Sequence, residues 1–137
     1  MSIVCKLKKT GIIMIEVEYR PEIGLLDVMM TGKIQFSQMK EYCLNLLNGV
    51  TVANGVRILE DASLAELQYD VDDAKKLGLI MESELGQHLF VRHALIRRNP
   101  LDTAFGMIRI QNNTSDRYQL KVFSTPEYGR NWLLNEN

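Results

Sequence analysis

From Ile13 the side chains Ile13, Ile15, Val17 and Tyr19 interleave with Met14, Glu16, Glu18 and Arg20, the period-two pattern of a strand with one wet face. Arg20-Pro21-Glu22-Ile23-Gly24 reads as a turn, and Leu26, Val28 and Met30 resume the alternation up to Thr31-Gly32. The two segments together predict an antiparallel hairpin. Met39, Tyr42, Cys43, Leu46 and Leu47 then fall at helical spacing, with Lys40, Glu41 and Asn45 on the other side. That spacing predicts an amphipathic helix from Ser37 to Leu47, closed by Asn48-Gly49.

Val56-Arg57-Ile58-Leu59-Glu60-Asp61 reads as a short, largely buried strand, with Asp61-Ala62-Ser63 leaving its C-terminal end into a loop. Asp70 is placed to cap a second helix that runs to the mid-eighties, with Asp72 and Asp73 in its first turn and Val71, Ala74, Leu77, Met81 and Leu85 inward. The stretch Leu89 to Ile96 is apolar without a clear period, and a strand is placed at His93 to Arg98. Asn99-Pro100-Leu101-Asp102 combines a cap, a proline where its missing N–H costs nothing, and an acid in the first turn. The helix it opens is expected to carry Leu101, Ala104, Phe105 and Ile108 inward. Tyr118 to Phe123 alternates again, and Thr125-Pro126-Glu127 starts a last helix that presents Trp132 and Leu133. Gly78 and Gly106 fall inside predicted helices, which points to close contact with the sheet or the approach of a ligand.

The order is ββαβαβαβα. It predicts an α/β fold, a mixed, mostly parallel sheet with an N-terminal antiparallel hairpin and helices packed against it. The strands at 56–61, 93–98 and 118–123 are expected at its centre.

Length and composition narrow the setting. The 137 residues fit one domain, 1–137, with residues 1–13 read as an extension that either pairs as an added strand or lies over an edge. Sixteen basic and seventeen acidic residues leave a net charge of -1, which speaks against nucleic acid as a partner. Cys5 and Cys43 have no CxxC spacing, so reduced thiols in the cytoplasm are expected and a zinc site is not. No signal peptide is read at the start, and no apolar run reaches the roughly 20 residues of a membrane helix.

Candidate chemistry is sparse. In an open sheet, ligands collect beyond the carboxyl ends of parallel strands, an edge that would gather Asp61, Ser63, Asn99, Thr103, Ser124 and Thr125. These are a tentative ligand-binding set, but all are also common capping and turn residues. Ser63 beside Asp61 has no histidine near it in sequence and no nucleophile elbow, so a hydrolase is a minor alternative. His88 and His93, five apart, share no line on a helix and no face of a strand, and read as surface or partly buried side chains rather than metal ligands. Asp72 and Asp73 diverge as helical neighbours and interact with the dipole. The seven methionines read mainly as core filling, with an adaptable apolar groove as the other reading. Neither catalytic residues nor a cofactor nor a metal is expected. A tight acid, imidazole and hydroxyl cluster would count against that expectation.

The pattern resembles the SpoIIAA-like group, relatives of STAS domains that are also similar to the lipid-binding CRAL-TRIO fold. The matching pieces are Thr31-Gly32, Arg57-Ile58-Leu59-Glu60-Asp61, Asn99-Pro100 followed by Phe105-Gly106-Met107, and Val122-Phe123 leading to Asn131-Trp132-Leu133, spanning about residues 12 to 134. The resemblance implies a non-enzymatic protein-interaction or regulatory module with a homodimer or another protein as partner. Its alternative is a binder or sensor of a small apolar, lipid-like ligand. STAS regulators are switched by phosphorylation of a serine at a helix start; here that start is Asp70-Val71-Asp72-Asp73, without a hydroxyl, so the switch is not implied.

Overall fold

The computed structural model describes residues 4–9, 13–50, 55–86 and 90–135. Strands β1 (Val4–Lys9), β2 (Ile13–Arg20), β3 (Leu25–Gln35), β4 (Val56–Gln68), β5 (Val91–Ile96) and β6 (Tyr118–Phe123) lie side by side in sequence order in one sheet. β1 to β3 pair antiparallel, and β3 to β6 are parallel. The parallel junctions are bridged by helices α1 (Phe36–Asn45), α2 (Val71–Ser83) and α3 (Pro100–Gln111), and α4 (Pro126–Leu134) follows β6. From Ile13 onward this is the expected order, and the N-terminal segment adds β1 as a strand along β2.

The alternation along each strand sorts residues into two cores. One face buries Ile15, Val28, Ile58, Leu95 and Leu120 with Met39, Cys43, Leu77 and Met81 of α1 and α2. The other face buries Leu25, Leu59, Ala94 and Ile96 beneath Leu133 of α4. Close approach of α4 needs Gly129: a Cβ there would sit 2.7 Å from Ile96 Cδ1. Gly106 plays the same part for α3, its added Cβ meeting Val122 Cγ2 at 2.7 Å, whereas nothing lies within 4 Å of a Cβ at Gly78. Of Gly78 and Gly106, the close-contact reading therefore applies to Gly106 alone.

Five expectations are corrected. β3 does not stop at Thr31-Gly32, and β4 does not end at Asp61: they run on as a paired ribbon to Gln35 and Gln68. The register explains it. Met29 faces Asp61 but Thr31 faces Leu64, so β4 takes one extra residue there, a bulge. Asp61 Oδ1 accepts from the Ser63 amide at 2.9 Å and from the Ser63 hydroxyl at 2.6 Å, which satisfies a backbone donor that the bulge takes out of the ladder. Asp-Ala-Ser is thus a clamp within a strand and not the start of a loop.

The strand after α2 sits at Val91–Ile96, slightly earlier than placed. β6 lies at the sheet's edge instead of its centre, since the sheet grows in one direction from β3 and nothing pairs beyond it among the described residues. Val71 of α2 is exposed; Ala74, Leu77 and Met81 form its buried face as expected.

A buried ion network and an inverted helix

The strand-end residues chosen from sequence serve local geometry. Asn99 caps α3, accepting from the Asp102 amide at 2.8 Å, and the Thr103 hydroxyl donates to the Asn99 carbonyl at 2.9 Å. Thr125 caps α4 through the Tyr128 amide, and Ser124 is exposed beside it. The Asp61 side chain bonds to the amide and hydroxyl of Ser63 in the bulge. The register does bring Asp61, Ile96 and Phe123 level, so Asn99 and Ser124 follow from the same end of the sheet. None of the six lines either of two clefts on the surface, one between β2 and α1 and the other beside β6 and Trp132.

The chemistry is concentrated beneath the helices, in residues of which the sequence reading weighs only His93 as a candidate. Glu60 is in phase with Val56, Ile58 and Ala62 on β4, and His93 with Val91 and Leu95 on β5; both are fully buried. Glu60 Oε1 accepts from the Tyr42 hydroxyl of α1 at 2.8 Å and lies 2.9 Å from His93 Nε2. Its Oε2 takes Arg97 Nη2, whose partner Nη1 reaches the Ile96 carbonyl at 3.1 Å. His93 Nδ1 stands 2.7 Å from the Tyr118 hydroxyl of β6, which accepts from Arg109 Nη2 of α3 at 3.2 Å.

The protons in this chain can be assigned. Burial alone would raise the Glu60 carboxyl, but Arg97, His93 and Arg109 outweigh it and hold it well below the ordinary carboxylate range. For His93, burial lowers proton affinity more than Glu60 raises it, which favours the neutral ring. A neutral ring beside a carboxylate donates through Nε2, so Nδ1 accepts from Tyr118. Every donor then points toward Glu60, from Arg109 through Tyr118 and His93, from Tyr42, and from Arg97. Arg109 is 2% exposed, and its Nε and Nη1 find no partner among the described residues.

This is a carboxylate, imidazole and hydroxyl in contact, the arrangement named above as counting against a non-catalytic reading. Its setting is a closed one. An activated nucleophile needs a lowered pKa and an approach for substrate; burial pushes the Tyr118 phenol up and the Cys43 thiol up to about 12. His93, read from sequence as surface or partly buried, is completely enclosed because β5 is covered on both faces. Among the described residues, no group of three or more His, Cys, Asp or Glu is placed to hold a metal ion. The signal available in the sequence was an ionisable residue in phase with an apolar face, at Glu60 and at His93.

α3 is rotated from the expectation, exposing two of the four residues expected inward and half-burying the other two. Asp102, Gly106 and Arg109 are its buried residues, while Leu101 is 62% exposed, Met107 45% exposed, and Ala104 exposed between them. Phe105 and Ile108 are half-buried, with Phe105 stacked on Tyr69 at 5.9 Å between ring centres. The rotation follows from the interior. Arg109 must reach Tyr118, Asp102 is held by its Asn99 cap, and only Gly106 lets the helix meet Val122. Asp102 and Arg109 are the helix's sole ionisable residues, so its outer face has no charge.

No family model matches this chain, and no curated protein matches it. Among solved structures, the chain is similar to an uncharacterized protein from the DUF3478 family with a SpoIIAA-like fold from Shewanella loihica PV-4. The TM-score is 0.51 and the identity 17%, over 96% of this chain and 93% of that one. At that identity the likeness is one of fold, and the architecture expected from the sequence is the one adopted. No helix among the described residues is long and apolar enough to cross a membrane.

Proposed function

Starting from a SpoIIAA-like fold, we propose that this protein is a non-enzymatic interaction module that docks through the outer face of α3, with a second copy of itself as the partner. One observation carries the reading: α3 holds both its charges inside and presents Leu101, Ala104 and Met107 outside. Solvent-facing helix faces are ordinarily charged. Single exposed apolar residues need no explanation, but a line of them on an uncharged face favours contact. Such a face suits a two-fold pairing, in which each residue meets the same patch on the other copy and like charges would repel. The buried free thiol of Cys43 is in keeping with a reducing, cytoplasmic setting.

Two features weigh against catalysis. The Ser63 hydroxyl is committed to Asp61 in the bulge, and the Glu60, His93 and Tyr118 chain lies beneath α1 to α3. Sedimentation equilibrium over a wide concentration range tests the docking reading. The wild type is expected to dimerise and Leu101→Glu with Met107→Glu to be monomeric with unchanged circular dichroism. A wild type that stays monomeric at the highest concentration overturns it.

A further inference from the structure

β6 ends the sheet, and its outward backbone groups can be placed. The Val91 amide donates to the Arg117 carbonyl at 2.7 Å and the Arg97 amide to the Phe123 carbonyl at 3.0 Å, at the two ends of the ladder between β5 and β6. Backbone groups alternate sides along a strand, so Gln119 and Lys121 also face β5, while Tyr118, Leu120 and Val122 face outward. Tyr118 is occupied: its amide donates to the Ser115 carbonyl at 3.4 Å, and its carbonyl accepts from Asn113 Nδ2. The amides and carbonyls of Leu120 and Val122 have no partner among the described residues. Open groups on an edge are a template for a further strand.

A cleft of about 610 Å³ lies beside this edge, with Gln119, Leu120 and Lys121 in its lining. Lys121 is exposed on the α4 side of the sheet, level with Ala94 of β5. It and Arg92 gather on one ring: Arg92 Cζ lies 4.6 Å and Lys121 Nζ 5.5 Å from the centre of Trp132. Neither cation has a carboxylate partner among the described residues, and Asp116, the one acid lining the cleft, pairs with neither. The opposite side of the edge is apolar, with Leu120 and Val122 on the strand and Ile110 of α3 above them.

Charge selects the occupant. A lysine on an edge deters apolar strands from pairing there, and a second β6 would bring another Lys121 against the first. An acid on an added strand meets Lys121 as an opposite-charge pair across the strands. We propose that β6 accepts an extended segment of another protein as an added strand, one in which acidic side chains alternate with apolar ones. Its backbone bonds to Leu120 and Val122, its acids lie toward Lys121 and Arg92, and its apolar side chains lie toward Leu120 and Ile110. The edge is separate from the outer face of α3, and the inference is independent of docking between copies.

Two end-blocked heptapeptides separate the outcomes, one alternating valine with glutamate and one alternating valine with lysine, titrated into the full chain at low salt and followed by amide shifts and hydrogen exchange. The glutamate peptide is expected to bind saturably, about fivefold or more tighter than the lysine peptide, and to slow exchange at Leu120 and Val122. Methylating its alternate backbone nitrogens should weaken it about tenfold, the worth of the lost hydrogen bonds. Lys121→Glu should reverse the preference between the two peptides. Absence of saturable binding overturns the inference, as do shifts centred away from β6. Equal binding of the methylated peptide overturns strand addition, and an unchanged preference in a folded Lys121→Glu overturns the choice of an acidic partner. Should that variant fail to fold by circular dichroism, added salt decides on the wild type: a fall in glutamate-peptide affinity supports the charge pairing, and an unchanged affinity refutes it. Shifts at Leu120 and Val122 that change on diluting the protein alone would make a second copy the occupant and overturn the proposal.

Discussion

Replacing Glu60 with Gln changes almost nothing in shape and nearly everything in the core's electrostatics. In the native protein the carboxylate accepts from Tyr42, His93 and Arg97 at once. An amide has one oxygen and an NH2 group, so at least one of those donors would face another donor. Arg97, itself buried, would also lose its counter-charge. Breaking a buried pair by removing one partner costs about 3–5 kcal/mol, a large share of the roughly 5–15 kcal/mol that holds a domain of this kind together. Urea unfolding followed by far-ultraviolet circular dichroism at pH 7.5 reads the loss; with a slope of about 1–3 kcal/mol per molar, the midpoint should fall by roughly 2 M. Arg97→Met alone should cost a comparable amount, because it strands Glu60. The double variant removes both charges and should be more stable than the sum of the two losses by about 2 kcal/mol or more. A Glu60→Gln loss below about 1 kcal/mol, or additivity within about 0.5 kcal/mol, would refute the picture of Glu60 as the acceptor on which the network converges.

Other consequences can be checked in the same way. His93 has a proton affinity lowered by burial, so between the ordinary value of about 6.5 and its folded value the unfolded chain holds the extra proton. Stability should be level above about pH 7 and decline on acidification by up to about 1.4 kcal/mol per pH unit; comparing unfolding at pH 7.5 and 5.5 in a His88→Gln background, the decline should shrink in His93→Gln, and equal declines would disprove it. The two helix glycines should respond with opposite signs: Gly78→Ala, with open space, should stabilise by about 0.5–1 kcal/mol, while Gly106→Ala, pressed on Val122, should destabilise by about 1–3 kcal/mol unless paired with Val122→Ala. Thermal melts that shift the same way for both would sink the contact argument. A chain starting at Met14 loses β1 and leaves β2 as an edge, yet keeps both cores. It should unfold cooperatively at a lower urea midpoint, and a broad, non-cooperative transition would show β1 to be integral.

The features legible in the sequence are those set by neighbours along the chain. Asn99-Pro100 and Thr125-Pro126 open α3 and α4 where the cap and proline place them, because capping satisfies backbone donors within one turn. The alternation of Ile15, Val17 and Tyr19 marks β2 and its buried face, because side chains on a strand switch sides at every residue. The contents of the interior depended on tertiary contacts. Glu60, His93, Arg97 and Arg109 come from β4, from β5 and the turn after it, and from α3, and each looks unfavourable in its own segment. Burying a charge is tolerable only where others complete its hydrogen bonds, and those partners meet only once the sheet has formed and the helices cover it. The orientation of α3 was decided in the same way. Its apolar count alone would turn Leu101 and Ala104 inward, but the contacts of Arg109 with Tyr118 and of Gly106 with Val122 turn that side out.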